Sequence, residues 1–422
     1  MFNKIELKNG LRIVSEYIPH VKSVSIGIWV EAGSRREGYN NNGISHLIEH
    51  MLFKGTKNRT AKEIAESFDN IGGQLNAFTS KECTCYYAKV LDSHIQIAIE
   101  VLSDMIFNSK FDEFEIKKEK SVIFEEIKMY EDSPEDLVHD LLSQTIFNGN
   151  TLSLPILGTE DSLSNLTRDD IIQYFKKYYI PNNTVISIAG NFELEEIIEL
   201  IKKYFGSWTK SKNNSLTYEK PSLLQRMSNR KKDIEQLHFC LGTEGISQGQ
   251  DELYSLLVLN NILGGSMSSR LFQTIREERG LVYSIYSYPS SYKDIGIFTI
   301  YAALNPKHFL EAVDLIIKDI DLIKNEYLSE EEIFKSKEQL KGNYILGLES
   351  TSSRMTSIGK SELLLGSIHS PDQIIEKIDQ VSFEDVRKVV NRIFDNNKFN
   401  IAYVGNIKDN NIKEKLKKIC FE

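Results

Sequence analysis

Two histidines and a glutamate fall within five residues in the stretch His46-Leu47-Ile48-Glu49-His50. If the segment is helical, His46 and His50 lie one turn apart on one face, where two imidazoles can hold a single metal ion. Glu49, three residues after His46, shares that face, and its carboxylate can reach a water on the ion rather than the ion itself. The order inverts that of the His-Glu-x-x-His zinc helix and is the inverzincin pattern. Catalytic zinc usually takes three protein ligands and keeps one open position, so a further ligand must come from elsewhere. The run "EIKKEKSVIFEEIKMYEDSPED" supplies Glu119 and Glu126. These lie two helical turns apart, so both can approach the same site, whereas Glu125 points elsewhere. The plainer alternatives are surface histidines and a solvated acidic helix face.

The elements that must position these groups can be traced along the chain. Asn42 or Ser45 of "NNGIS" can cap a helix over "HLIEHMLF". Alternating runs such as "VKSVSIGIWV" and "GIFTIYAALN" predict strands, and they alternate with paired helices rather than regular βαβ units. This predicts an α+β fold with largely antiparallel sheets. The pattern occurs twice, about 215 residues apart: "NNTVISIAGNFELEEII" ends its strand in Gly190-Asn191, and "NKFNIAYVGNIKDNNIK" ends in Gly405-Asn406. Two homologous domains follow, at residues 1–208 and 233–422, joined by a polar linker over 209–232. Aligning the repeats sets "LVLNN" against "HLIEH", Asn343 against Glu126 and Ser336 against Glu119. Only the first half can therefore be a metal domain.

The 422 residues carry a formal charge of -9, which disfavours a nucleic-acid surface. The start lacks an apolar targeting core, and apolar runs fall short of the roughly 18 residues that span a bilayer, so neither membrane nor secretion is expected. Four cysteines in such a chain fit a reducing, cytoplasmic compartment. Cys83 and Cys85 are spaced too closely for an ordinary zinc pair and lack a second pair.

Taken together, "GISHLIEHMLFKGT", "GGQLNAFTSKECTCYYAKVL", "EKSVIFEEIKMYEDSPEDLVHDLL" and "LPILGTEDSL" make the chain resemble the M16 zinc peptidases, the group of the mitochondrial processing peptidase, pitrilysin and insulin-degrading enzyme. The likeness spans nearly the whole chain and is strongest to short, two-domain bacterial members. It implies one zinc per chain held by His46, His50 and Glu126, with Glu49 as catalytic base and Glu119 as a supporting catalytic residue. It further implies that Arg276 and Tyr283 bind the substrate carbonyl and backbone, and that Asn76 and Ala77 lie on an edge strand that accepts a peptide as an added strand. The activity implied is endopeptidase cleavage of unstructured peptides inside a chamber formed by a homodimer. Its rivals are a non-catalytic partner subunit on the same fold and a metal-dependent amidase acting on a small molecule.

Overall fold

In a computed structural model, residues 2–209, 217–325, 328–409 and 411–421 are described, and they form two compact units. The first combines Met1–Lys128, Leu154–Tyr218 and Leu346–Ser370; the second combines Met129–Ser153, Glu219–Ile345 and Pro371–Glu422.

The first unit is built on strands β1 (Phe2–Glu6), β2 (Arg12–Tyr17), β3 (Ser23–Val30), β4 (Gln74–Thr79), β5 (Thr84–Leu91) and β6 (Thr184–Gly190), in the order β1-β2-β6-β3-β5-β4. Only the β2–β6 pairing is parallel. The two-residue period of β3 explains how the sheet is covered on both faces. Val24, Ile26, Ile28 and Val30 enter one core, with helices α1 (Ile44–Leu52), α2 (Ala61–Asp69) and α3 (Ile95–Asn108) supplying much of the rest. Trp29 points into a second core on the opposite face.

The second unit repeats the plan with β7 (Met227–Arg230), β8 (Leu237–Gly245), β9 (Val282–Ser291), β10 (Gly296–Leu304) and β11 (Asn400–Val404), ordered β7-β11-β8-β10-β9. Its one parallel pairing, β11 with β7, corresponds to β2–β6. Gly190 and Gly405 both adopt positive φ at the ends of matching strands, as a duplicated strand exit requires. The α+β class and the internal duplication thus agree with the hydrophobic patterning.

The units do not follow the contiguous division at 208 and 233. Helices α4 (Glu113–Asp132) and α5 (Pro134–Ile146) adjoin in sequence, yet α5 packs on β8 and β11 of the second unit. Reciprocally, the helix Thr351–Leu365 packs on β3 and β6 of the first. It is held there by Arg12, which donates to Glu362 at 3.1 Å, and by a Ser25–Thr351 hydroxyl contact of 2.9 Å. Cys83 and Cys85 are buried in the same core, where desolvation pushes both thiols up. Within the expected linker, residues 210–216 lie outside the described residues, and 227–230 form strand β7. The sequence does not mark that strand, because "MSNR" is short, mostly polar and at a sheet edge, where apolar alternation is not needed. Among the described residues no helix is long and apolar enough to cross a membrane.

Candidate metal centre

Helix α1 presents its apolar residues Ile44, Leu47, Ile48, Met51 and Leu52 to the first core. The remaining stripe holds His46, Glu49 and His50, the i, i+3 and i+4 positions of one face. Neither Asn42 nor Ser45 caps this helix through its side chain. Its N-cap is Gly43 at φ 91°, where an added Cβ would sit 2.8 Å from the Leu157 carbonyl oxygen. The capping charge comes from Glu37, whose buried carboxylate accepts from the backbone N–H of Gly43 (2.7 Å) and Ser45 (2.9 Å) and from the Asn42 side chain (2.8 Å). Burial raises the Glu37 carboxyl pKa, and these donors pull it back towards the charged form. A negative group at a helix N-terminus also meets the positive end of the dipole.

On α4 the stripe Ile116, Glu119, Ile123 and Glu126 follows helical spacing, and its first three members are buried. Glu126 thereby comes to 3.8 Å from His46 Nε2 and 3.9 Å from His50 Nε2. One ligand atom from each of His46, His50 and Glu126 lies within 4.8 Å of the others. Around a tetrahedral ion with bonds of about 2.1 Å, donors stand roughly 3.4 Å apart, so modest inward movement suffices to close the set. Protonation states also suit a cation. Burial, aided by the neighbouring His50, lowers the His46 pKa to about 3, which keeps its imidazole neutral and able to donate a lone pair. The buried Nδ1 of His46 has no hydrogen-bond partner among the described residues. Two imidazoles and one carboxylate form a nitrogen and oxygen donor set that fits a borderline-soft divalent metal.

Glu119 does not join this trio directly. Its Oε2 lies 3.1 Å from His50 Nδ1, and its Oε1 pairs with Lys54 Nζ at 2.8 Å. A carboxylate on the far nitrogen of a ligating imidazole fixes the tautomer that leaves Nε2 free to bind. Glu125 is exposed and pairs with Lys128 instead. The carboxyl of Glu49, partly buried, is raised by desolvation and drawn down by its bond from Thr79 Oγ1, 2.5 Å from Oε2. Thr79 was not among the residues expected at the site. Nothing in its spacing from Glu49 signals the contact, which depends on where β4 ends.

Asn76 and Ala77 lie on β4, an edge of the sheet, paired with Tyr87 and Tyr86 of β5. Asn76 is exposed, and its side-chain oxygen accepts from the Ala77 N–H at 2.8 Å. Arg276 and Tyr283 belong to the second unit. Arg276 lies on a π-helical turn, Phe272–Glu277, with its guanidinium 4.6 Å over the Phe272 ring, and Tyr283 is 72% exposed near the start of edge strand β9. The repeat alignment is visible at side-chain level in that unit. Asn261, which replaces His50, donates to Ser336, which replaces Glu119, at 3.3 Å. The paired helices persist there, but imidazole and carboxylates are gone.

The family model described as "Insulinase (Peptidase family M16)" matches residues 12–160, and "Peptidase M16 inactive domain" matches residues 165–340. A Bacillus subtilis protein named "Uncharacterized zinc protease YmxG" is 50% identical over 394 residues, 93% of this chain and 96% of its own. A Streptomyces coelicolor protein, also named an uncharacterized zinc protease, is 39% identical across 96% of this chain and 89% of its own. Among solved structures, a protease from Helicobacter pylori superposes with a TM-score of 0.89 at 23% identity, covering 96% of this chain and 99% of that one. A Pseudomonas fluorescens peptidase M16 inactive domain gives 0.90 at 17% identity, covering 96% and 98%. At those identities the structures speak to the fold.

Proposed function

Since the chain belongs to peptidase family M16, we propose that it is a zinc-dependent endopeptidase that hydrolyses unstructured peptides in the cytoplasm. The observation that carries the reading is the convergence of His46, His50 and Glu126 within 4.8 Å, with a carboxylate on the same helix face. The names of the relatives favour zinc, and four free, buried cysteines suit a reducing compartment. When bound by the trio, zinc supplies Lewis acidity that polarises a carbonyl and brings the pKa of water down to about 7.

The chain's own residues supply the remaining roles. Glu49 accepts the proton of the attacking water and returns it to the departing amine. A carboxyl raised by burial is suited to both transfers, because its proton affinity lies closer to neutral pH. Glu119 holds His50 in the tautomer that keeps Nε2 available. Asn76 and Ala77 align substrate backbone along the edge of β4. Arg276 and Tyr283 bind the substrate carbonyl and backbone, and in a two-fold homodimer enclosing a chamber they serve the zinc of the other copy.

The test combines metal analysis with cleavage of an unbiased peptide library. Wild type should hold one zinc per chain and cut peptides. Glu49→Gln should retain the metal and lose activity, and Glu126→Gln should lose both. Full zinc in the Glu126→Gln variant would remove it from the ligand set. Zinc without peptide cleavage in wild type would point to a non-catalytic subunit.

A further inference from the structure

Edge strand β4 ends at Thr79, and that residue alone among those described hydrogen-bonds to the Glu49 carboxylate. The geometry follows from strand alternation. Leu75 and Ala77 pack against the core that contains α1, so Thr79, two residues on, presents its hydroxyl to the same side. Its cross-strand partner is Thr84, with the hydroxyl oxygens 3.4 Å apart. The Thr84 proton is used by the Ala32 carbonyl at 2.8 Å. A threonine hydroxyl has one proton to give, and that of Thr79 goes to Glu49 Oε2.

We propose that Thr79 is a positioning residue that ties the peptide-accepting edge strand to the base, anchoring Glu49 Oε2 and leaving Oε1 to take the proton. The inference rests on the peptidase reading above. Thr79 neither gains nor loses a covalent bond, and its proton stays on its own oxygen. A peptide added to β4 is aligned by the backbone of residues 74–79, and the last of these residues fixes the carboxylate that must meet the attacking water. Substrate register and base orientation thus share one rigid element, which limits their relative error. Small misplacements of a reacting group are expensive in rate.

Thr79→Val keeps the β-branched shape and strand preference and removes only the hydroxyl. Thr79→Ser keeps the hydroxyl. Expected for the Val variant is a fall in kcat of about tenfold, with KM, zinc content and melting temperature unchanged, and for the Ser variant recovery to within about threefold of wild type. Introduced into Glu49→Gln protein, Thr79→Val should leave the affinity for an uncleaved peptide unchanged by calorimetry, since the hydroxyl acts through the base and not on the peptide. Wild-type kcat in the Val variant, a higher KM with unchanged kcat, loss of zinc, or no recovery in the Ser variant would each overturn the assignment. An active wild type beside an indifferent Val variant defeats this inference alone. A wild type that cleaves no peptide defeats the peptidase reading and this inference with it.

Discussion

His46 is the most confined of the three candidate ligands, 7% exposed and without a partner for its Nδ1 among the described residues. Its confinement links the metal centre to acid stability. The unfolded chain binds a proton at this side chain near pH 6.5, and the folded, metal-free chain only near pH 3. Between those values the unfolded state holds more protons, so this contribution is complete above about pH 6.5 and is lost as the pH falls towards 3. The raised carboxyls of Glu49 and Glu126 act with the opposite sign above pH 4.5. Urea titrations of chelated wild type and His46→Gln should therefore be compared as a difference, and wild type should lose more stability on acidification. Glu119 has a separate signature. Glu119→Gln should weaken zinc binding by about 10–100-fold in chelator competition, since it removes the charge that orients His50 while leaving the three ligands in place. The histidine pair and both glutamates were legible because helical spacing relates them within α1 and within α4. Glu37 and Thr79 were not, because each reaches α1 through a turn or strand end that follows no period.

At the level of elements, the sheets demand close covering, and the clearest case is the helix Thr351–Leu365. A Cβ on Gly359 would lie 2.2 Å from Trp29 Nε1 and 2.6 Å from Ser187 Oγ, so helix backbone rests directly on the indole. Those two atoms hydrogen-bond to each other at 2.8 Å in a buried setting. Gly359→Ala should separate them and destabilise the protein by about 1–3 kcal/mol in urea unfolding. Gly342→Ala is the control, since Gly342 is exposed in the helix Glu330–Gly347 with nothing near its missing Cβ. It should be neutral or stabilise by up to about 1 kcal/mol through helix propensity. Strand alternation in β3 and β10 and the apolar faces of the helices were readable from sequence. What was not readable is which sheet each helix covers. An amphipathic stripe states that a face must be buried and leaves its partner unnamed.

For the whole molecule, the proposed two-fold assembly predicts complementation. Mixing Glu49→Gln protein with Arg276→Ala protein should restore activity once subunits exchange, because a mixed dimer would contain one site with both residues intact. Confirmed exchange by mass spectrometry, with activity no greater than the sum of the parents, would place the pair in cis or remove it from the site. The duplication itself was legible in the sequence, through Gly190 and Gly405 and the replaced ligands of the second repeat. The reciprocal placement of α5 and Thr351–Leu365 was not, since packing between segments so far apart in sequence leaves no local pattern. That placement also sets an order of events on the ribosome. The strands of the first sheet have all been made once Gly190 emerges, but the helix that covers Trp29 and Cys85 is encoded far downstream. At about 5–20 residues per second, the nascent first sheet waits on the order of 10–30 s with one apolar face open to water and to chaperones.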